Sequence, residues 1–128
     1  MSQPAAKLGD QILATDTHVI VTPSGAAAPV PHPFAGSVDG DTSSDVLIEG
    51  QPAATVGSTA NNAPPHVPQG GSFQTPPSNR GSITVGSGTV LINGSPAARM
   101  GDTATTCNDP ADQPVGQVLA SGSVLIGG

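Results

Sequence analysis

The sequence predicts a mainly β fold: a small pseudo-threefold body of three β-hairpin repeats with little helix, one domain over residues 1–128. Three observations predict it. Residues 46–57 read VLIEGQPAATVG and residues 90–101 read VLINGSPAARMG, two copies of one pattern. A third copy is divided between the termini, with VLIGG at 124–128 and PAAKLGD at 4–10. The composition is poor in bulk: Gly and Pro supply 31 of 128 residues, Phe34 and Phe73 are the only aromatics, and Trp and Tyr are absent. A linear array has no reason to divide one unit between its ends, whereas a ring opened within a unit must do so. The termini are therefore expected side by side.

Each unit begins with a glycine followed by two residues of a strand: Gly36-Ser37-Val38, Gly81-Ser82-Ile83 and Gly116-Gln117-Val118. A turn-rich stretch and a Val-Leu-Ile triplet follow, which reads as a β-hairpin with a variable loop. The units are 36–80, 81–115, and 116–128 joined with 1–35. Alternation puts Val and Ile of each triplet on one face and Leu on the other. One of these rows is expected to pack inside and the other to form an apolar base. The Pro-Ala-Ala pieces could start a helical turn, because Pro suits the first helical position, but they are too short for a stable helix. Residues 22–35 and 60–80 are rich in Pro, Gly and Asn and read as ordered crossings held by something other than a core.

Charge and hydropathy exclude several functions. Three Lys and Arg against nine Asp and Glu leave no basic footprint for nucleic acid. No apolar run reaches the roughly 20 residues of a membrane helix. Residues 1–10 lack the basic and apolar regions of a secretory signal, so synthesis in the cytoplasm and export without a cleaved leader are expected.

The chemistry lies in three histidines and one cysteine: His18, His32, His66 and Cys107. Measured from the Asp or Ser that closes each Pro-Ala-Ala motif, His18 and His66 each lie eight residues on and Cys107 lies five on. Each unit so supplies one soft ligand at a similar place, and His32 is a fourth. Four such donors about an axis suit Zn²⁺, with iron as an alternative. A full set of protein ligands leaves no open position, which argues for a structural site and against an enzyme. Asp39, Asp41 and Asp45 read as a solvated hairpin loop, since the closing Glu of a Ca²⁺ loop is missing. Gly70-Gly71-Ser72 and Gly86-Ser87-Gly88 read as turns, since no Gly-Lys-Ser/Thr follows.

Pro96-Ala97-Ala98-Arg99, with the degenerate copies Pro52-Ala53-Ala54-Thr55 and Pro4-Ala5-Ala6-Lys7, resembles the motif of PAAR-repeat proteins. That resemblance implies a cone at the tip of a contractile injection machine, either a type VI secretion system or a phage-tail-like particle. It implies a base that caps a trimeric VgrG-like or phage-spike-like protein, one chain per trimer, and a point that holds zinc through His18, His32, His66 and Cys107. The target membrane would be pierced transiently, the particle tip would be delivered outside or into a target cell, and no small-molecule substrate is implied. The rival readings are a free-standing structural metal-binding or adhesive module and a small metal-dependent hydrolase.

Overall fold

The computed structural model describes residues 2–128 and contains thirteen strands and no helix among them. In chain order these are β1 (Gln3–Pro4), β2 (Gln11–Val21), β3 (Ala27–Gly40), β4 (Leu47–Ile48), β5 (Gln51–Pro52), β6 (Thr59–Asn62) and β7 (Ser72–Phe73). There follow β8 (Arg80–Ile83), β9 (Leu91–Ile92), β10 (Ser95–Pro96), β11 (Thr103–Thr106), β12 (Gln113–Leu119) and β13 (Leu125–Ile126).

Six strands close into an antiparallel barrel in the order β12-β11-β8-β6-β3-β2, with β2 pairing back to β12, and β7 adds to the far end of β2. Closure leaves the barrel body without a free edge. Its interior is narrow, filled by Ile12, Phe34, Val38, Ile83 and Val118 with a set of buried alanines. The glycines that open each unit make this possible. A Cβ on Gly36 would lie 2.8 Å from Asn61 O, one on Gly81 3.1 Å from Thr106 Cγ2, and one on Gly116 3.0 Å from Ala104 O. At each of the three positions a side chain would crowd the neighbouring strand or the core side chains, most severely at Gly36.

Beneath the barrel the three Pro-Ala-Ala segments form a hydrogen-bonded ring rather than helical turns. Ala6 N–H donates to Ala98 O at 2.9 Å, Ala98 N–H to Ala54 O at 3.0 Å, and Ala54 N–H to Ala6 O at 3.0 Å. Each segment is used up in bonding its two neighbours, so no local helical hydrogen bond can compete. Ala6, Ala54 and Ala98 face the barrel core, while Ala5, Ala53 and Ala97 pack against Ile48, Ile92 and Ile126. Alanine's single methyl lets the three segments meet in a floor with apolar layers on both sides.

Three short hairpins form the far side of that floor: β4 with β5, β9 with β10, and β1 with β13. Glu49-Gly50 and Asn93-Gly94 have positive φ at both turn positions, the two-residue turn that matches strand twist. In the third hairpin β1 and β13 pair directly, Gln3 opposite Ile126 and Pro4 opposite Leu125, so the two ends of the chain are adjacent. Within each Val-Leu-Ile triplet Ile turns inward and Leu outward: Leu47, Leu91 and Leu125 are 61%, 62% and 58% exposed. Val46 and Val90 side with the isoleucines, as the alternation predicted, whereas Val124 of the third triplet is 39% exposed.

β3 carries Pro29, Pro31 and Pro33, an unusual load for a strand. All three are exposed and alternate with Val30 and His32. Ala35, next in the same phase, directs its N–H away from β2 to Asn62 Oδ1 at 2.9 Å. The prolines therefore omit N–H groups only along the side of β3 beyond β6, and they keep that edge from pairing further.

Candidate metal centre

β2 delivers the chemistry. Its alternation turns Ile12, Asp16, His18 and Ile20 inward. β3 does the same with His32 and Phe34, and the register sets Asp16 opposite His32. His66 comes from the loop after β6, where its N–H is tied to Asn79 Oδ1 at 2.8 Å. Cys107 follows β11, with its N–H on Arg80 O at 3.2 Å.

One donor atom each from Asp16, His18, His66 and Cys107 lies within 4.8 Å of the others, and all four residues are buried. The three residues that the repeat spacing singled out, His18, His66 and Cys107, are thus brought together. His32 lies beside this group rather than in it: its ring centroid is 5.7 Å from that of His18 and 5.5 Å from that of His66. The residue that sequence reasoning missed is Asp16. The signal was available, because in an extended strand residue 16 must share a face with residue 18.

The ring nitrogens are individually fixed. His32 Nδ1 donates to Val30 O at 2.8 Å, and its buried Nε2 has no partner. His18 Nε2 faces Cys107 Sγ at 3.6 Å, while its buried Nδ1 is 3.6 Å from Asp109 Oδ2 and makes no hydrogen bond. His66 Nε2 meets Asp16 Oδ2 at 2.7 Å. Cys107 Sγ lies 3.4 Å from the same carboxylate oxygen. Both aromatic side chains flank the cluster. Phe73 lies 5.8 Å from His18 and 5.6 Å from His32, and Phe34 lies 6.2 Å from His66.

Burial sets the charge states. Desolvation, then the neighbouring His66, lowers the His18 pKa, against the pull of Asp109 and Asp16. Desolvation and the Asp16 charge push the Cys107 thiol up to about 11. Without a cation the site therefore favours a neutral imidazole and a thiol, and a metal would have to displace the thiol proton. The donor set fits a metal. Imidazole, thiolate and carboxylate are the ligand types of Zn²⁺, for which neighbouring donors stand roughly 3.3–3.8 Å apart. A buried imidazole lone pair with no partner, as on His32 Nε2, costs free energy unless something occupies it.

The geometry defines a β-rich module with a buried cluster able to coordinate a metal. Residues 74–128, which contain Pro96-Ala97-Ala98-Arg99 and Cys107, match the PAAR motif. That match spans 55 of the chain's 128 residues. No curated protein matches the chain.

Proposed function

We propose that this chain is a non-enzymatic, metal-stabilised tip that caps a trimeric spike of a contractile injection or secretion machine and helps it pierce a membrane. The observation that carries the reading is the outer face of the three hairpins. Leu47, Leu91 and Leu125 are exposed at three equivalent positions around the Ala6/Ala54/Ala98 ring. Apolar side chains repeated about a threefold axis fit a partner with that symmetry, and an exposed apolar face calls for one. The PAAR motif supports the same reading.

The metal in this reading is zinc, held by the cluster around His18, and its role is to tie β2, β3, the His66 loop and Cys107 into one rigid point. Structural zinc contributes on the order of 10 kcal/mol to folding, which suits a narrow end with little apolar bulk. The chain's own residues serve that role by orientation: Val30 O fixes the His32 ring, and Phe73 and Phe34 pack their rings against the histidines.

The test is docking. Leu91→Asp should give a folded, metal-loaded chain that no longer co-purifies with a trimeric VgrG-like spike from the same source. Ile92→Asp should fail to fold, because Ile92 is 8% exposed against the alanine floor. A Leu47→Asp/Leu91→Asp/Leu125→Asp chain that still caps the trimer would sink the proposal.

A further inference from the structure

We infer that a cavity between the first two hairpins, at the rim of the proposed docking face, takes a basic side chain of the spike, an ammonium or guanidinium group. This rests on the cap reading and names the chemistry that the partner brings to it. The cavity measures about 270 Å³, and Asp41, Ser43, Asp45, Thr55 and Asn93 are among its walls. Asp45 stands two residues before Leu47 and Asn93 two after Leu91. The cavity therefore adjoins two of the three exposed leucines.

The internal repeat shows what such a place holds. Lys7, Thr55 and Arg99 close the three Pro-Ala-Ala segments, and their backbones are bonded alike. Lys7 N–H donates to Asp10 Oδ2 at 3.0 Å, Thr55 N–H to Ser58 Oγ at 3.0 Å and Arg99 N–H to Asp102 Oδ2 at 2.7 Å. Each faces an alanine of the next segment: Lys7 pairs with Ala53, Thr55 with Ala97 and Arg99 with Ala5. Two of these three places hold a cation. Lys7 Nζ lies 3.3 Å from Asp10 Oδ2 and donates to Ser121 O at 2.9 Å. Arg99 donates from Nη2 to Asp102 Oδ1 at 2.9 Å and from Nη1 to Gly127 O at 3.2 Å. Asn93 follows its Val-Leu-Ile triplet as Gly127 follows the third one, so the cavity beside Thr55 and Asn93 is the counterpart of the space that Arg99 fills. Thr55 and Ser58 replace both the cation and its carboxylate there, and neither is long enough to fill it.

The walls offer acceptors to whatever enters. Thr55 is 8% exposed, and its hydroxyl has no hydrogen-bond partner among the described residues. A buried hydroxyl without a partner is costly unless something meets it. Ser43 Oγ donates to Asn93 Oδ1, which turns Asn93 Nδ2 to Asp45 Oδ2 at 2.9 Å. That bond fixes the Asp45 carboxylate and uses only one of its oxygens. Ser58 Oγ donates to Asp41 O at 2.8 Å and so anchors the second carboxylate beside the first. No lysine or arginine lines the cavity, since Lys7 and Arg99 are held by Asp10 and Asp102. Two fixed carboxylates and a buried hydroxyl around one space suit a group that carries positive charge and only donors. Ammonium and guanidinium are the side-chain groups of that kind.

The test is docking as a function of salt, with the full chain and a trimeric VgrG-like spike from the same source. Wild-type affinity should fall as NaCl is raised, because an ion pair at a rim is screened. Asp41→Asn/Asp45→Asn should fold, since an amide oxygen can still accept from Asn93. It should lose about threefold to tenfold in affinity at low salt and depend less on salt. Thr55→Arg, which supplies a guanidinium from the chain itself, should weaken docking to a similar degree. An Asp41→Asn/Asp45→Asn chain that docks with wild-type affinity at every salt concentration would overturn the inference and leave the cap reading intact. A wild-type chain that does not dock at all would overturn both. Arginine amide titrated into the isotope-labelled wild-type chain should shift the amide resonances of Thr55 and Asn93. Shifts there with Ca²⁺ and none with arginine amide would make the cavity a metal loop and overturn the inference, whether or not Thr55→Arg folds.

Discussion

At the scale of the residue, Cys107 and His18 make the metal-free chain sensitive to pH on both sides. The folded His18 pKa lies below its ordinary 6.5, so its contribution is present above about pH 6.5 and lost as pH falls. The folded Cys107 pKa is about 11 against an ordinary 9.0. Its contribution is present below pH 9.0 and lost as pH rises toward 11, because only the unfolded chain ionises the thiol in that window. Urea midpoints of the chelated protein should therefore decline on both limbs. Zinc should abolish the alkaline limb, since a bound thiolate has no proton left to lose. A loaded chain with the same alkaline decline would show that Cys107 is not engaged. Cys107→Ser should lower zinc content well below one per chain and lower Tm, read by metal analysis and calorimetry on one sample. A serine-substituted chain with full zinc and unchanged Tm would exclude the thiolate. How much of this centre was legible follows from where its signals lie. His18, His66 and Cys107 stood out because the repeat gave each a counterpart. Asp16 has no counterpart in the other units, and its burial depends on a strand phase that composition alone does not fix. The place of His32 depends on the β2–β3 register, which no local signal supplies.

At the scale of the element, the ring and the glycine walls are the features that tolerate least. Gly36→Ala would place a Cβ 2.8 Å from a backbone oxygen, and overpacking of this kind costs about 1–3 kcal/mol. The same change at Gly50, where nothing lies within 4 Å but φ is +85°, should cost about 1 kcal/mol through backbone strain alone. Chemical denaturation of the two variants should rank them in that order, and the reverse ranking would mean that the barrel wall yields. The Pro-Ala-Ala pieces show why a local reading stops short. Proline before two alanines is a good helix start when only neighbouring residues are counted. The ring supplies three inter-segment hydrogen bonds that no single copy can reveal. The proline-rich stretch of β3 is a similar case. Its composition reads as a crossing, yet the prolines fall on every second position, which is compatible with a strand that pairs on one side only.

At the scale of the whole molecule, one chain imitates a trimer. The ring bonds Ala6 to Ala98, Ala98 to Ala54 and Ala54 to Ala6, and the equivalent ladders at Gly9, Gly57 and Gly101 reach Val38 O, Ile83 O and Val118 O. The far end departs from this symmetry, because β2 and β3 alone run to 11 and 14 residues while β6, β8 and β11 have four each. A body that is threefold at one end and carries one long β2–β3 hairpin at the other breaks its symmetry at that far end alone. Three separate copies would each bring a β2–β3 hairpin and could not share one axis. Two measurements follow. Because β1 pairs with β13, joining Gly128 to Ser2 through a short linker and opening the chain at Ser44, which is exposed, should preserve folding and zinc uptake, since exposed loops tolerate permutation. Loss of folding in that permutant would mean that the third hairpin depends on its free ends. The stoichiometry of the capped spike is the stronger test. Native mass spectrometry should find one chain and one zinc per three spike subunits. The internal repeats already provide the threefold face, so a second copy would have no equivalent surface to occupy. Three copies per spike would make the repeats redundant and would refute the proposed geometry of the cap.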